Sequence, residues 1–384
     1  MLTRRHLVAT GALGALSLGF APRIAFAAAP TSKRFVFVIQ RGAADGLGTL
    51  APVGDPAFAP ARGVLADDFA TGATLDGMFA LHPALTNIAG LYRSGEGLFA
   101  HAVASPYRDR SHFDGQNVLE SGGAAAYAQK DGWLNRLLAA LPHEQARGIA
   151  VAATVPMALR GRIEVASYAP SALPDASDDL LARVTSLYAS DPQLHGLWEQ
   201  AIATRALTGD LAADNGRNAA ATGALAARLI APADGARIAM VETGGWDTHA
   251  QQRGRLAGQL RGLDAMIGAL KTGLGPVWAD TMVLVATEFG RTVTVNGTGG
   301  TDHGTASAAM LFGGGVKGGR VLADWPGLAT ASLYEGRDLR PTTSLDGFIA
   351  GATAGHFGID PARMTAALFA NAGPVKAIEG LVRA

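Results

Sequence analysis

The stretch Arg34-Phe35-Val36-Phe37-Val38-Ile39-Gln40-Arg41-Gly42-Ala43-Ala44-Asp45-Gly46 decides the fold class. Its apolar part shows no in–out alternation, as expected of a strand covered on both faces in a parallel sheet. The glycines that follow make a tight turn presenting Asp45 at the strand's carboxyl end, where ligands of open α/β sheets bind. Working outward, Leu98 to Val103, Ala150 to Val155, Arg237 to Glu242, Thr281 to Ala286 and Ser307 to Phe312 have the same strand character. Helix-patterned segments separate them. One begins near Leu85, with Ile88, Leu91 and Tyr92 at helical spacing. Another runs from Gln251 to Leu274, with Leu256, Leu260, Leu263, Ile267 and Leu270 on one stripe. Strands alternating with helices predict an α/β fold, a doubly wound and mostly parallel sheet with helices on both faces.

Residues 51–80 read as an irregular excursion rich in Pro, Gly, Ala and Asp. Residues 157–233 are alanine-rich and read as a helical insertion or cap over the sheet, inside one domain spanning 28–384. His82, before a proline, reads as a structural residue, and His195, among helix formers, as a surface or core-edge residue.

Length and composition narrow the chemistry. A chain of 384 residues buries a large core without difficulty. Lys+Arg and Asp+Glu both number 32, so the formal net charge is zero, and no nucleic-acid partner held by bulk charge is expected. There is no cysteine, which removes disulfides, thiol catalysis and cysteine-type zinc sites. Thr3-Arg4-Arg5-His6-Leu7, the glycine- and alanine-rich run Val8 to Phe20 and Ala25-Phe26-Ala27 read as a twin-arginine export leader over residues 1–27. The run is shorter than the ~20 apolar residues of a membrane span. The expected partner is the twin-arginine export machinery, the expected location periplasmic or secreted, and no stable membrane anchor is expected.

Three turns in the second half concentrate acids and histidines: Gly244-Gly245-Trp246-Asp247-Thr248-His249, Thr287-Glu288-Phe289-Gly290-Arg291 and Gly300-Thr301-Asp302-His303-Gly304. A parallel sheet brings strand ends to one edge, so Asp45, Asp247, His249, Glu288, Asp302 and His303 are candidate ligands. Mixed carboxylate and imidazole donors suit one or two divalent metal ions, zinc or manganese above calcium. In Arg108-Asp109-Arg110-Ser111-His112-Phe113, a helix start places Ser111 in a positive field, fit for a nucleophile attacking an anion. Ser111 reads equally as a simple N-cap, and Asp45 as a turn or N-cap aspartate. Arg110, Arg291 and Arg41 are candidates to hold an anionic group. No phosphate-cradling P-loop, dinucleotide fingerprint or Gly-x-Ser-x-Gly elbow is present.

The leader, Arg41 to Leu47, Arg110 to Phe113, Gly245 to His249, Thr287 to Thr292 and Thr301 to Gly304, in that order, resemble the exported bacterial proteins of domain of unknown function family 1501. That family is placed near the alkaline phosphatase and sulfatase superfamily. The resemblance implies a doubly wound α/β sandwich with a two-metal site. It implies Asp45 as a first-strand ligand and Ser111 as nucleophile. It also implies Asp247 and His249 as an acid–histidine pair, Glu288 as a later acid and His303 as a final ligand.

Three departures stand out. Asp247 and His249 are unusually close in sequence. Phe289 follows Glu288 where a histidine is usual, so that either Asp302 or His112 supplies the missing ligand or one metal site is lost. Ala104 occupies the position of the modified residue in a sulfatase frame. The expectation is a metal-dependent hydrolase of phosphate or related esters, acting on a small anionic ester or envelope component. The alternatives are a non-catalytic binding or envelope-assembly protein and a polymer-modifying transferase.

Overall fold

The computed structural model describes residues 32–169, 177–191, 194–196, 198–199, 201–202 and 218–383. The leader at residues 1–27 and much of the expected helical insertion lie outside them.

The main sheet has nine strands: β1 (Arg34–Gln40), β2 (Gly97–Ala104), β3 (Gly148–Val151), β4 (Val165–Ser167), β5 (Ile238–Thr243), β6 (Thr281–Ala286), β7 (Ser307–Gly313), β8 (Arg320–Leu322) and β9 (Thr343–Ser344). Their order is β8-β2-β7-β6-β1-β5-β3-β4, with β9 beside β2. β1 is central and pairs in parallel with β5 and β6. β7 is antiparallel to both its neighbours, β2 and β6; every other pairing is parallel.

The expected double burial of β1 is observed, with every residue buried. Phe35, Phe37 and Ile39 face one core with Trp133, Phe348 and Phe369, where Trp133 meets Phe37 edge-on at 5.2 Å. Val36 and Val38 face the other core with Ile88, Leu260 and Ile267. Each such large side chain contributes roughly 1.5–3 kcal/mol by leaving water. Helices α1 (Thr86–Arg93), α5 (Ala219–Ile230) and α6 (Gln252–Leu274) supply the second core. Helices α3 (Trp133–Ala140), α7 (Leu345–Phe357) and α8 (Pro361–Phe369) supply the first. The molecule is therefore a doubly wound, mostly parallel α/β sandwich. Two further helices among the described residues are α2 (His112–Ser121) and α4 (Asp178–Tyr188).

At the two ends of the region read as an insertion, described residues join the sheet and its core. Val165–Ser167 extends the sheet as edge strand β4, and α5 packs along α6 within the core. Small residues let α5 lie close to its neighbour. At Gly223, an added Cβ would sit 2.1 Å from the Met266 carbonyl oxygen.

The arrangement gathers the turns after β1, β5 and β6 at one edge. Because β7 is antiparallel, its beginning rather than its end lies there, which is how the turn carrying Asp302 and His303 reaches the same place. Two turns cross tightly: Gly42 has φ 118°, and a Cβ on it would come within 2.7 Å of the Asp247 amide nitrogen. A side chain at position 42 would wedge the first turn away from the Asp247 turn.

Candidate metal centre

Three histidines surround one carboxylate at this edge. His249 Nε2 lies 3.0 Å from Asp247 Oδ1, and His303 Nε2 lies 3.3 Å from the same oxygen. His112 Nε2 lies 3.4 Å from Asp247 Oδ2. Ligand atoms of His112, Asp247 and His303 all fall within 4.8 Å of one another. Nε2 of His249 is 3.1 Å from Nε2 of His303.

The other nitrogen of each ring explains why these atoms converge. His112 Nδ1 donates to Glu288 Oε1 at 2.8 Å. His303 Nδ1 donates to the Arg110 carbonyl at 2.9 Å. His249 Nδ1 is 3.1 Å from Asp302 Oδ1. All three partners are oxygen acceptors, so each Nδ1 carries a hydrogen, and in the neutral ring Nε2 presents a lone pair. Histidine ligands in metal proteins are oriented in this way. With both rings neutral, the His249 and His303 lone pairs and an Asp247 oxygen sit within 3.3 Å of each other, a repulsion that either a proton or a metal ion relieves. His112 Nε2 is buried and hydrogen-bonded to nothing. The donor set thus fits a divalent metal ion, with His112, Asp247, His303 and His249 placed to hold it.

Charges follow the same logic. Burial pushes the Asp247 carboxyl up, but the hydrogen bond and charge of Arg291 outweigh it and hold it below the usual carboxylate range. Burial, then the neighbouring His112 charge, lowers His303. The bond to Glu288 raises His112.

Phe289, the departure from the expected pattern, has a clear place. It is buried and stacks on the His112 ring at 5.1 Å, and its ring is 5.3 Å from that of His303. It is the apolar wall against which two candidate ligands are held. Gly115, one turn along α2, lets the helix approach it: a Cβ there would lie 2.9 Å from Phe289 Cδ1.

The other expected site residues are distributed around this centre. Asp45 is buried against Arg62 and Gln252, and its Oδ1 accepts the Gly48 amide at 3.1 Å, the N-cap role. It connects to the centre only indirectly. Thr301 Oγ1 donates to Gln252 Oε1 at 2.6 Å, and Arg291 Nε donates to Thr301 Oγ1 at 3.2 Å. Arg291 Nη1 donates to Asp247 Oδ1 at 2.6 Å. The Arg291 guanidinium, expected to hold an anion, is buried and aligns Asp247 instead. Arg110 also turns inward, its guanidinium forked on Asp338 at 2.8–2.9 Å and on Glu335, while its carbonyl holds His303. Arg41 pairs with Glu120 and Glu242. Ser111 stands between Arg110 and His112 at the start of α2. Its side chain makes no capping bond there, so its hydroxyl is not taken up by the helix end.

Asp302 contacts His249 and accepts from Asn296 Nδ2 at 3.2 Å. Glu288 is wholly buried beneath His112. Sequence reasoning assigned no role to Arg62, Gln252, Asp338 or Gln116. They are isolated polar residues whose partners lie far along the chain, and local patterning carries no sign of them. Sequence reasoning reached His112 only as an alternative to Asp302 for the ligand missing at Phe289.

The sequence matches the family described as Protein of unknown function (DUF1501) over residues 32–369. The chain belongs to this DUF1501 family. No curated protein matches it. Among solved structures, the DUF1501 chain is similar to the zinc-complexed C-terminal periplasmic domain of EcEptC from Escherichia coli, at 7% identity and TM-score 0.36, covering 74% of each chain. It is also similar to the alkaline phosphatase from the Antarctic bacterium TAB5, at 10% identity and TM-score 0.34, covering 76% of this chain and 95% of that one. A third is the lipoteichoic acid synthase LtaP from Listeria monocytogenes, at 9% identity and TM-score 0.33, with 68% of this chain and 57% of that one covered. The chemistry of the DUF1501 protein rests on its side-chain geometry. Among the described residues no helix is long and apolar enough to cross a membrane.

Proposed function

We propose that this protein is an exported metal-dependent hydrolase of phosphate or related esters, with one divalent ion, zinc or manganese, held by His112, Asp247, His303 and His249. The observation that carries this reading is the convergence of three imidazole Nε2 atoms on the Asp247 carboxylate, each with its Nδ1 bound to an oxygen acceptor. A single ion is favoured over two because the oxygens of Asp45 and Glu288 are already engaged by protein donors.

A bound divalent cation would polarise the ester oxygen and favour an ionised hydroxyl. Ser111 Oγ would form a bond to phosphorus as the bond to the leaving alcohol oxygen breaks. The serine proton would pass through water to that oxygen. Water would then cleave the phosphoserine ester, returning the hydroxyl and releasing phosphate. The leader at residues 1–27 supports export of the folded chain through the twin-arginine machinery to the periplasm or beyond. A small anionic ester or envelope component is the proposed substrate.

The test is metal content, followed by assay of the metal-loaded protein on phosphate mono- and diesters and sulfate esters. Turnover lost in Ser111→Ala and in His303→Ala supports the reading; inactivity of metal-loaded wild type on all three classes overturns it.

One observation favours a second reading, a metal-binding protein of the envelope without catalysis. The guanidiniums of Arg110 and Arg291 are both committed to protein carboxylates, so neither is free to clamp an anion. Tight metal binding with no turnover on any ester selects it.

A further inference from the structure

The carboxylate of Glu288 lies at the end of β6, where a metal ligand would be expected, yet protein donors already occupy its Oε1. Its side chain is 0% exposed. Oε1 receives four N–H donors: the Gly42 amide at 2.8 Å, the Ala43 amide at 3.1 Å, Gln116 Nε2 at 3.1 Å and His112 Nδ1 at 2.8 Å. A carboxylate oxygen with that many donors has no lone pair left for a metal. Oε2 lies 3.0 Å from Thr287 Oγ1 inside the same closed space. That hydroxyl also accepts the Ala44 amide at 3.0 Å and has the Gln40 carbonyl at 2.7 Å.

The amides at 42 and 43 point together only because the chain takes left-handed conformations there, φ 118° at Gly42 and 56° at Ala43. Successive amides arranged in this way form a concavity that binds an anion. Here the anion is the protein's own. Burial raises the Glu288 carboxyl, but the bonds from His112, Gln116 and Gly42 outweigh it and keep it ionised.

We propose that Glu288 is a positioning residue and not a metal ligand: anchored by the Gly42–Ala43 amides, it fixes His112 as the Nδ1–H tautomer and aims Nε2 at Asp247. The consequence for metal binding rests on the proposed metal centre; the tautomer does not. Phe289, stacked on the same ring, sets its plane, and Glu288 sets which nitrogen faces out. Two consecutive residues of the turn after β6 thus serve one ligand contributed by α2.

The test has two arms. In metal-free protein at alkaline pH, side-chain 1H–15N spectra should show His112 protonated at Nδ1 in wild type, and a mixture of tautomers in Glu288→Ala. Wild-type His112 protonated at Nε2, or a tautomer unaffected by Glu288→Ala, overturns the proposal. In the second arm, Co(II) affinity is measured by chelator competition alongside the visible spectrum, with Glu288→Gln as the milder variant. The expected result is roughly 10–100-fold weaker binding with an unchanged ligand-field spectrum, as for loss of an orienting group. A spectrum altered as in His303→Ala makes Glu288 a ligand and overturns the proposal. If wild type binds no Co(II), the metal reading fails, and the tautomer arm decides the role of Glu288 by itself.

Discussion

Glu288 and Asp302 each pair with the Nδ1 of a histidine, His112 and His249, but the Glu288 side chain is 0% exposed and that of Asp302 is 55% exposed. The two sides of the centre are built from different materials. The buried floor satisfies its charges with protein groups: amides and Gln116 for Glu288, Arg62 and Gln252 for Asp45. The rim is open to solvent, and among the described residues Asn296 is the only side chain besides His249 hydrogen-bonded to the Asp302 carboxylate. A buried charge stripped of its partner has nowhere to go, whereas an exposed one is resolvated. Changes in the floor should therefore move stability, and changes at the rim should move ligand exchange and little else.

The largest effect is expected at the floor. Arg62 and Asp45 form an ion pair with both side chains 1% exposed. Arg62→Ala leaves a buried carboxylate unpaired and should lower unfolding stability by about 3–5 kcal/mol in urea denaturation. Replacing both, as Arg62→Met with Asp45→Asn, removes the unpaired charge while keeping an acceptor for the Gly48 amide, and should restore part of the loss. A single variant within about 1 kcal/mol of wild type would dissolve the distinction between floor and rim.

Acid sensitivity should also come from the interior. His101 is fully buried, with Nε2 at 2.8 Å from the Leu50 carbonyl and Nδ1 accepting the Ala102 amide at 2.7 Å. That pattern requires a neutral ring, and burial pushes its pKa down to about 4. His356, buried with Nε2 at 2.8 Å from the Arg34 carbonyl, is likewise pushed to about 4. The folded values lie below the unfolded value, so the unfolded chain binds more protons between them. Stability is full above about pH 6.5, falls as pH drops toward about 4, and levels off below. The loss is up to about 3 kcal/mol for each histidine. Unfolding midpoints across this range measure it, and His356→Gln, which keeps a donor for Arg34, should flatten the profile. A profile unchanged by that variant would place the titrating groups elsewhere.

These contrasts track what was legible in the sequence. The uninterrupted apolar runs at β1 and β6 predict doubly buried strands because burial acts on every residue in them. The sheet and its ligand edge follow from that. The three turns carrying an acid or an acid–histidine pair were visible, as was the resemblance to the family. Hidden was the division of labour among the acids, since a carboxylate's role depends on partners contributed by distant segments. Asp45 is claimed by Arg62, 17 residues on, and by Gln252, 207 residues on. Phe289 looked like a missing ligand, because a sequence shows identity and not what a ring stacks against. The antiparallel sense of β7, which carries His303 to the site from the strand's beginning, is likewise a long-range property.

At the centre itself, removing a ligand tests which histidines bear the metal. His112 is held by Glu288 and Phe289, whereas the His249 side chain is 44% exposed and held by an exposed acid. His112→Ala should therefore weaken Co(II) binding more than His249→Ala, by chelator competition. Equal losses would mean that pre-organisation by the floor adds nothing.

The smallest effect is expected for Asp302→Asn. The hydrogen bond from His249, then that from Asn296, holds the Asp302 carboxyl below its usual range, but water screens the pair. An asparagine oxygen still accepts from Nδ1 and from Asn296, so the ring keeps its tautomer and loses only a screened charge. Unfolding stability should change by less than about 1 kcal/mol. Co(II) affinity should fall by less than in Glu288→Gln. If Asp302→Asn matched Glu288→Gln in affinity, exposure would not be what separates the two carboxylates, and Asp302 would bind the ion directly.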